Sequence, residues 1–283
     1  MKKFLKYTVV STFLIAFLIV TVELSIIYKK FWDNIYKSPY ILKEEFRKPA
    51  IFKNSNKKSI VLMGDSFFQD KFLDEKFLAN ILLSKQTNRN VYNLAIEGAS
   101  IAEVLYILRS YDKNIELKEL INGDTKIEHI IINYMPWHIK ALYLSPRELF
   151  PRFDKNKGEF ILDKNPIYYT ETYRTLKFYL GMHTPDKVPF ISFNLYALHI
   201  KEIKKEIEKI FGKDTKLSIL VVKECGLENW EKLKQEGINV INLNEILGFD
   251  INTKEYQISD TNDHPNEKAW EVIVPALIKE LDL

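Results

Sequence analysis

The sequence predicts an α/β protein, a three-layer α/β/α sandwich around a mostly parallel sheet, preceded by one transmembrane helix. Three observations support this prediction. From residue 58 onward, short apolar runs alternate with stretches of helical periodicity. The apolar runs are mostly continuous, which is typical of strands that are buried on both faces of a parallel sheet. The first thirty residues form an apolar segment between two groups of lysines, which is typical of a membrane-spanning helix.

The N-terminal apolar segment extends from Tyr7 to Tyr28, and Glu23 is its only charged residue. A helix of this length crosses a hydrocarbon core of about 30 Å. The segment ends without the small residues of a signal-peptidase site, so we expect an uncleaved signal anchor. Three lysines precede it. This bias predicts a single-pass protein of the cytoplasmic membrane, with its N-terminus inside and the rest extracytoplasmic.

The chain therefore divides into an anchor at 1–30, a stalk at 31–57 and an α/β domain at 58–283. The stalk is charged and aromatic and contains two prolines. Within the domain, an insertion at about 140–196 interrupts the strand–helix alternation with five prolines and many aromatic residues. Insertions of this length usually carry a function or a local subdomain. Its aromatic rings suit either packing over the core or stacking on sugars.

Five apolar runs predict the strands of the sheet: Ser59–Met63, Val91–Ala95, Ile130–Asn133, Leu217–Val222 and Val240–Leu243. Helical periodicity falls between them, at about 72–86, 100–111, 197–211 and 227–236, and again after Pro265. Strands that alternate with helices in this way predict a parallel sheet covered on both faces.

Charge and cysteine content exclude some classes of function. The chain has 41 basic and 38 acidic side chains, and this balance argues against a nucleic-acid surface, which needs a clustered basic excess. Cys225 is the only cysteine, so no intramolecular disulfide can form, and we expect it to be buried. No group of histidines, cysteines and acids has the spacing of metal ligands, so the sequence predicts neither a metal nor another cofactor.

Two short motifs carry the chemistry. Gly64-Asp65-Ser66 closes the first strand, and this turn can lift the Ser66 hydroxyl to the tip of the sheet. Asp263-His264-Pro265-Asn266 lies about two hundred residues later, and a histidine there can take the serine proton. The Ser66 amide at a helix N-terminus would also suit a developing oxyanion. Alternatively, Asp65 and Ser66 form an ordinary helix N-cap.

These motifs resemble signature blocks of the SGNH (GDSL-type) hydrolase superfamily. Gly64-Asp65-Ser66-Phe67 resembles the first block, Asn93–Ser100 the second and Asp263–Asn266 the last, in family order across roughly residues 58 to 280. The resemblance implies a flavodoxin-like α/β/α fold, Ser66 as nucleophile and His264 as base. It also implies that the Ser66 and Gly98 amides bind the oxyanion.

The chain departs from the family pattern at two places. The third block, Gly-x-Asn-Asp, is missing; Trp137 lies about where the family has its asparagine, and Asn133 is the nearby amide that could donate to the oxyanion. The family also has an aspartate three residues before the histidine, where this chain has Thr261. We expect Asp260 to hold the Nδ1 atom of His264, with Asp263 as the alternative acid.

Resemblance and chemistry together predict a serine acyl-ester hydrolase or O-acyl (acetyl) transferase that acts on cell-envelope glycan through an acyl-serine intermediate. Its expected partners are an envelope polysaccharide or other acyl-ester substrate, the membrane, and a membrane acyl-donor protein. One alternative is a catalytically inactive SGNH-like envelope protein that binds glycan or scaffolds a partner, which Trp137 favours. A second alternative is a lipid esterase or thioesterase.

Overall fold

The computed structural model describes residues 17–19, 21–22, 50, 58–109, 111, 118, 126–138, 152–154, 159–161, 193–226 and 228–283. The chain divides into two units. The first comprises Met1–Tyr40 with Arg147–Phe190, and the second comprises Ile41–Pro146 with Ile191–Leu283. The strands and helices of the α/β domain lie in the second unit, and the first contains a short antiparallel strand pair.

The strands of the described residues are β1 (Lys58–Met63), β2 (Asn90–Asn93), β3 (Lys126–Tyr134), β4 (Arg152–Asp154), β5 (Glu159–Ile161), β6 (Lys216–Val221), β7 (Asn239–Asn242), β8 (Gln257–Ser259) and β9 (Asn262–Pro265). Five of them form a parallel sheet in the order β2-β1-β3-β6-β7. The pairs β4–β5 and β8–β9 are antiparallel. The chain adds β2 on one side of β1 and then crosses to add β3 on the other side. The carboxyl ends of β1 and β3 therefore mark the switch point at which α/β proteins of this topology bind ligands.

The α-helices are α1 (Ser66–Gln69), α2 (Ala79–Thr87), α3 (Ile101–Arg109), α4 (Phe193–Phe211), α5 (Glu231–Lys234), α6 (Leu243–Leu247) and α7 (Glu267–Leu281), and short 3₁₀ turns cover Glu75–Phe77 and Lys254–Tyr256. Helix α7 contacts α2 and α6, whereas α3 contacts α4. These two groups of helices cover the two faces of the sheet.

The side chains of each strand point alternately to the two faces of the sheet, so one sheet packs against both layers of helices. Ile60 and Leu62 belong to a buried cluster with residues of α2 and α7, such as Leu83 and Trp270. Val61 is equally buried but lies outside that cluster, because successive side chains of a strand point to opposite faces. The predicted fold class, a three-layer α/β sandwich with a parallel sheet, is therefore confirmed.

The predicted strands match the observed ones closely except at the start of β3, which begins at Lys126. Three of its first four residues are polar or charged, and Lys58 of β1 donates a hydrogen bond to Glu128 at 3.0 Å. Pairing with β1, whose Lys58 lies opposite Lys126, extends this strand beyond its apolar run. The prediction that Cys225 is buried is wrong, since Cys225 is exposed and its backbone N–H donates to Glu228.

The last helix begins after Pro265, as the sequence pattern predicts, but Pro265 is not its first residue. Pro265 instead ends β9, and Asn266 caps α7 by accepting a hydrogen bond from the Ala269 backbone at 3.1 Å. Asparagine is among the best N-caps because its side-chain oxygen accepts a free backbone N–H of the first turn. His264 consequently lies on a strand of a hairpin that the sequence pattern does not reveal.

Most of the predicted anchor at 1–30, stalk at 31–57 and insertion at 140–196 lies outside the described residues. Among the described residues, no helix has both the length and the apolar character needed to cross a bilayer. The anchor, its orientation and the extracytoplasmic location stay predictions.

Candidate active site

Ser66 is the first residue of α1, directly after the turn that ends β1. Asp65 is the N-cap of this helix, and its Oδ1 atom accepts a hydrogen bond from the Phe67 backbone at 2.9 Å. Gly64 has φ +127°, and a Cβ atom there would lie 2.0 Å from Oδ1 of Asn133. The turn therefore requires glycine. The N-cap hypothesis holds for Asp65, and it is compatible with Ser66 as a nucleophile.

The buried Asp65 carboxylate ties this turn to the end of β3. Its Oδ1 atom accepts from Asn133 Nδ2 at 2.7 Å, and the Asp65 backbone N–H donates to Asn133 Oδ1 at 3.1 Å. Its Oδ2 atom accepts from Trp137 Nε1 at 3.1 Å and lies 3.0 Å from His138 Nε2. Sequence reasoning did not assign this network, although the residues concerned stand in place of the missing third block.

The electrostatics of Asp65 follow from these bonds. Burial alone would raise its pKa, but the His138 imidazole and the hydrogen bonds from Phe67 and Asn133 outweigh burial and hold the pKa below its usual range. The charged carboxylate is thus the stable form.

We predict that Asp65→Asn destabilises the protein by about 3 kcal/mol at neutral pH, because His138 and Trp137 lose a charged acceptor. A carboxyl whose pKa is lowered by folding stabilises the protein above its unfolded pKa, and this contribution is lost as the pH falls through the folded pKa. The difference between wild type and variant should therefore be constant above about pH 5 and shrink below about pH 4. Chemical denaturation at several pH values measures it.

Asp214→Asn is the control for this experiment, because the Asp214 side chain is 87% exposed. It should change the free energy of unfolding little at any pH. A difference between wild type and Asp65→Asn that does not vary with pH would contradict the assignment of a charged Asp65.

Asn133 is already hydrogen-bonded to Asp65, and this limits its predicted role as an oxyanion donor. Both polar atoms of its amide bond Asp65, so Asn133 supports the serine turn. The second hydrogen of Nδ2 is the one that could reach an oxyanion, and that role stays a prediction.

Gly98 lies in the loop that follows β2, and this loop is bonded to the serine turn. The backbone of Ile96 donates to Gly64 at 3.0 Å, which continues the β1–β2 ladder beyond the strand ends. Gly98 has φ +67°. Within the described ranges, neither the Ser66 nor the Gly98 backbone N–H donates to another residue. The role of both amides as oxyanion donors, which the resemblance implies, stays a prediction.

His264 lies on β9, and its side chain is held by Asn262. Nδ1 of His264 is 2.6 Å from Asn262 Oδ1, and the His264 backbone N–H donates to the same atom at 3.2 Å. A carbonyl oxygen only accepts, so Nδ1 carries the hydrogen and Nε2 has the lone pair of a general base. Residues two apart on a strand share a face, which is why Asn262 holds this position.

Neither of the two aspartates considered as the acid lies within hydrogen-bond distance of His264 Nδ1 among the described residues. Asp260 pairs with Lys254 at 2.8 Å, and its side chain is 71% exposed. Asp263 is 78% exposed, with Oδ1 4.0 Å from His264 Nδ1, because neighbouring strand residues point to opposite faces. Asp260 is thus paired with Lys254, whereas Asp263 is at ion-pair distance from the imidazole, and the role of either as the acid stays a prediction. Sequence reasoning missed Asn262 because it searched for an acid.

The segments that carry Ser66 and His264 meet, since α1 contacts β9. Helix α7, which follows His264, also contacts the segment of Ser66 through Trp270. Its Nε1 atom donates to Asp70 Oδ2 at 2.5 Å, and its ring lies 5.2 Å from that of Phe67, between centroids. These contacts hold α7 against the segment that begins at Ser66, and the pairing of Ser66 with His264 stays a prediction.

Comparisons with known proteins find only distant structural likenesses. No protein-family model and no curated protein matches the sequence. Among solved structures, the chain is similar to a protein described as lipolytic and of the G-D-S-L family from Desulfitobacterium hafniense DCB-2, with 13% identity, 78% of this chain and 98% of that chain covered, and a TM-score of 0.44.

Two esterase structures are similar at the same level. A carbohydrate esterase family 2 enzyme from Corynascus thermopiles has 11% identity over 81% of this chain and 68% of that chain, with a TM-score of 0.45. The acetyl xylan esterase Est2A from Butyrivibrio proteoclasticus has 10% identity over 80% and 64%, with a TM-score of 0.43. Likeness this distant assigns neither a reaction nor a substrate to this chain.

Proposed function

We propose that this chain is a serine acyl-ester hydrolase or O-acyl (acetyl) transferase that acts on cell-envelope glycan. The observation that supports the proposal most is the contact between α1, which begins at Ser66, and β9, which carries His264. The bond from His264 Nδ1 to Asn262 orients the imidazole so that Nε2 accepts the proton.

In the proposed reaction, His264 Nε2 takes the Ser66 proton as Oγ attacks the ester carbonyl carbon. The Ser66 and Gly98 amides bind the tetrahedral oxyanion. As the intermediate collapses, His264 gives the proton to the departing alcohol and acyl-Ser66 remains. Water or a sugar hydroxyl then loses its proton to His264 and attacks the acyl group, which regenerates Ser66 and releases an acid or a new ester.

The substrate class in this proposal follows from the predicted location. An uncleaved N-terminal anchor with basic residues on its N-terminal side would hold the domain outside the cytoplasmic membrane. There it would meet envelope polysaccharides and a membrane protein that donates acyl groups.

An assay of the detergent-solubilised full chain on a chromogenic acetyl ester, with and without an acceptor glycan, tests the proposal. We expect release of the chromophore, and acetylated glycan in the presence of acceptor would identify a transferase. Absence of both would contradict the proposal. Activity that rises with acyl-chain length would instead support the lipid esterase or thioesterase.

The alternative of an inactive, glycan-binding protein is favoured by two observations. Trp137 and Asn133 both bond Asp65, and the partner of His264 is a neutral amide where a triad usually has a carboxylate. Glycan binding that survives Ser66→Ala, in a chain whose parent shows no turnover, would support this alternative.

We predict that Asn262→Asp raises kcat about tenfold, because a carboxylate stabilises the imidazolium form of His264 that appears in the transition state. The same charge makes the base harder to deprotonate, so the acid limb of the kcat/KM profile should move upward by about one pH unit. Profiles of wild type and variant measure both effects. An unchanged acid limb would show that residue 262 does not face the base.

A further inference from the structure

Phe72 is a large apolar side chain left in solvent beside the candidate base. It is 47% exposed. Its ring packs edge-to-face against His264 with 5.0 Å between the centroids. A single exposed phenylalanine is ordinary on a protein surface. A phenylalanine that contacts the catalytic base, however, also lies close to the substrate group that the base protonates.

A charged pair lies next to this ring. Lys71 Nζ bonds both carboxylate oxygens of Glu97 at 2.6 Å and lies 5.4 Å from the centroid of the Phe72 ring. Glu97 directly precedes Gly98. The pair thus joins the loop of the oxyanion amide to the segment that holds Phe72, and both of its side chains are 46% exposed.

Because Phe72 lies beside His264, we expect it to contact one particular part of the substrate. The base returns its proton to the departing alcohol, so the alcohol, and not the acyl group, lies against His264. An accepting alcohol attacks from the same place, because deacylation reverses acylation. Phe72 therefore borders the alcohol side of the site.

An exposed aromatic ring with a cation and a carboxylate beside it has the chemistry that a sugar requires. The ring stacks on the C–H face of a pyranose, and the charged groups bond its hydroxyls. We propose that Phe72, with the Lys71–Glu97 pair, forms the subsite that holds the sugar ring of the departing or accepting alcohol. This inference rests on the proposed function, and it names the alcohol side of that site.

Two esters with the same acyl group test the subsite, methyl 6-O-acetyl-β-glucopyranoside and ethyl acetate. We expect Phe72→Ala to raise KM for the sugar ester about tenfold while kcat stays within about twofold, because a lost stacking contact of this size weakens binding without touching the chemistry. Ethyl acetate, which has no ring to stack, should respond little. Phe72→Trp should retain sugar-ester activity.

Phe249→Ala is the matched control, since Phe249 is 39% exposed but stacks on Tyr256. It should leave both esters unaffected. Equal losses on both esters in Phe72→Ala, or no loss on either, would overturn the inference. If the activity lost in Phe72→Ala varied with the length of the acyl group while the alcohol stayed the same, Phe72 would lie on the acyl side. That result would also overturn the inference.

A binding measurement separates failure of the subsite from failure of the catalytic proposal. Ligand-observed NMR with methyl β-glucopyranoside, on the full chain carrying Ser66→Ala, needs no turnover. We expect binding to Ser66→Ala and its loss in Ser66→Ala/Phe72→Ala. Binding that persists after removal of Phe72, or no binding to Ser66→Ala, overturns the subsite whether or not the wild type is an enzyme.

Discussion

Ser66→Ala should lower kcat on an acetyl ester by about 10⁴- to 10⁶-fold, because removal of the nucleophile leaves only the oxyanion donors and substrate binding to accelerate the reaction. The variant should fold normally. The Ser66 side chain is partly exposed and bonds no other residue in the described part of the chain. The α1 cap is provided by Asp65, which the substitution leaves in place. Steady-state kinetics and a denaturation curve measure the two expectations.

Ser259→Ala is the control for this loss. Ser259 is an exposed serine on β8, in the same hairpin as His264, and its removal should leave kcat within about twofold. Retention of more than about a hundredth of wild-type activity in Ser66→Ala would show that another group attacks the ester.

Gly64→Ala should have the largest effect on stability, a loss of about 3–5 kcal/mol. The added Cβ would lie 2.0 Å from Asn133 Oδ1, and φ +127° is a conformation that alanine rarely adopts. Relief of the overlap requires Asn133 to leave Asp65, which breaks the two bonds that join the serine turn to β3. Denaturant unfolding measures the change.

Gly212→Ala distinguishes the cost of backbone strain from the cost of the steric overlap expected in Gly64→Ala. Gly212 has φ +97°, but nothing lies within 4 Å of a Cβ there, so only the conformational cost applies, about 1–2 kcal/mol. Combining Gly64→Ala with Asn133→Ala should cost less than the sum of the single variants, because the shorter side chain removes the overlap. Equal losses in Gly64→Ala and Gly212→Ala, or simple additivity, would contradict the clash.

The sheet and the serine turn are predictable from the sequence because both are local patterns. Continuous apolar runs identify the strands of a doubly covered sheet, and a glycine directly after such a run marks a sharp turn. The pattern also indicates that Ser66 begins a helix. The sequence pattern does not reveal the start of β3, because its first residues are mostly polar. They belong to the strand only because they pair with β1.

The partners of the site side chains are not local, and the sequence reveals them poorly. The Asp65 carboxylate contacts Trp137 and His138, which lie some seventy residues further along the chain. Asn262 is near His264 in sequence, but its role depends on the β8–β9 hairpin, which the pattern does not reveal. Once that hairpin is known, strand alternation places Asn262 on the face of His264 and Asp263 on the other.

If His264 makes Ser66 a nucleophile, a fluorophosphonate should label Ser66 covalently. The reagent reacts with an activated serine hydroxyl, and mass spectrometry of the digested full chain locates the adduct. We expect rapid labelling of Ser66 in the wild type and its loss in His264→Gln, with the fold retained. An unlabelled Ser66 in the wild type, or labelling at the same rate in His264→Gln, would contradict this expectation.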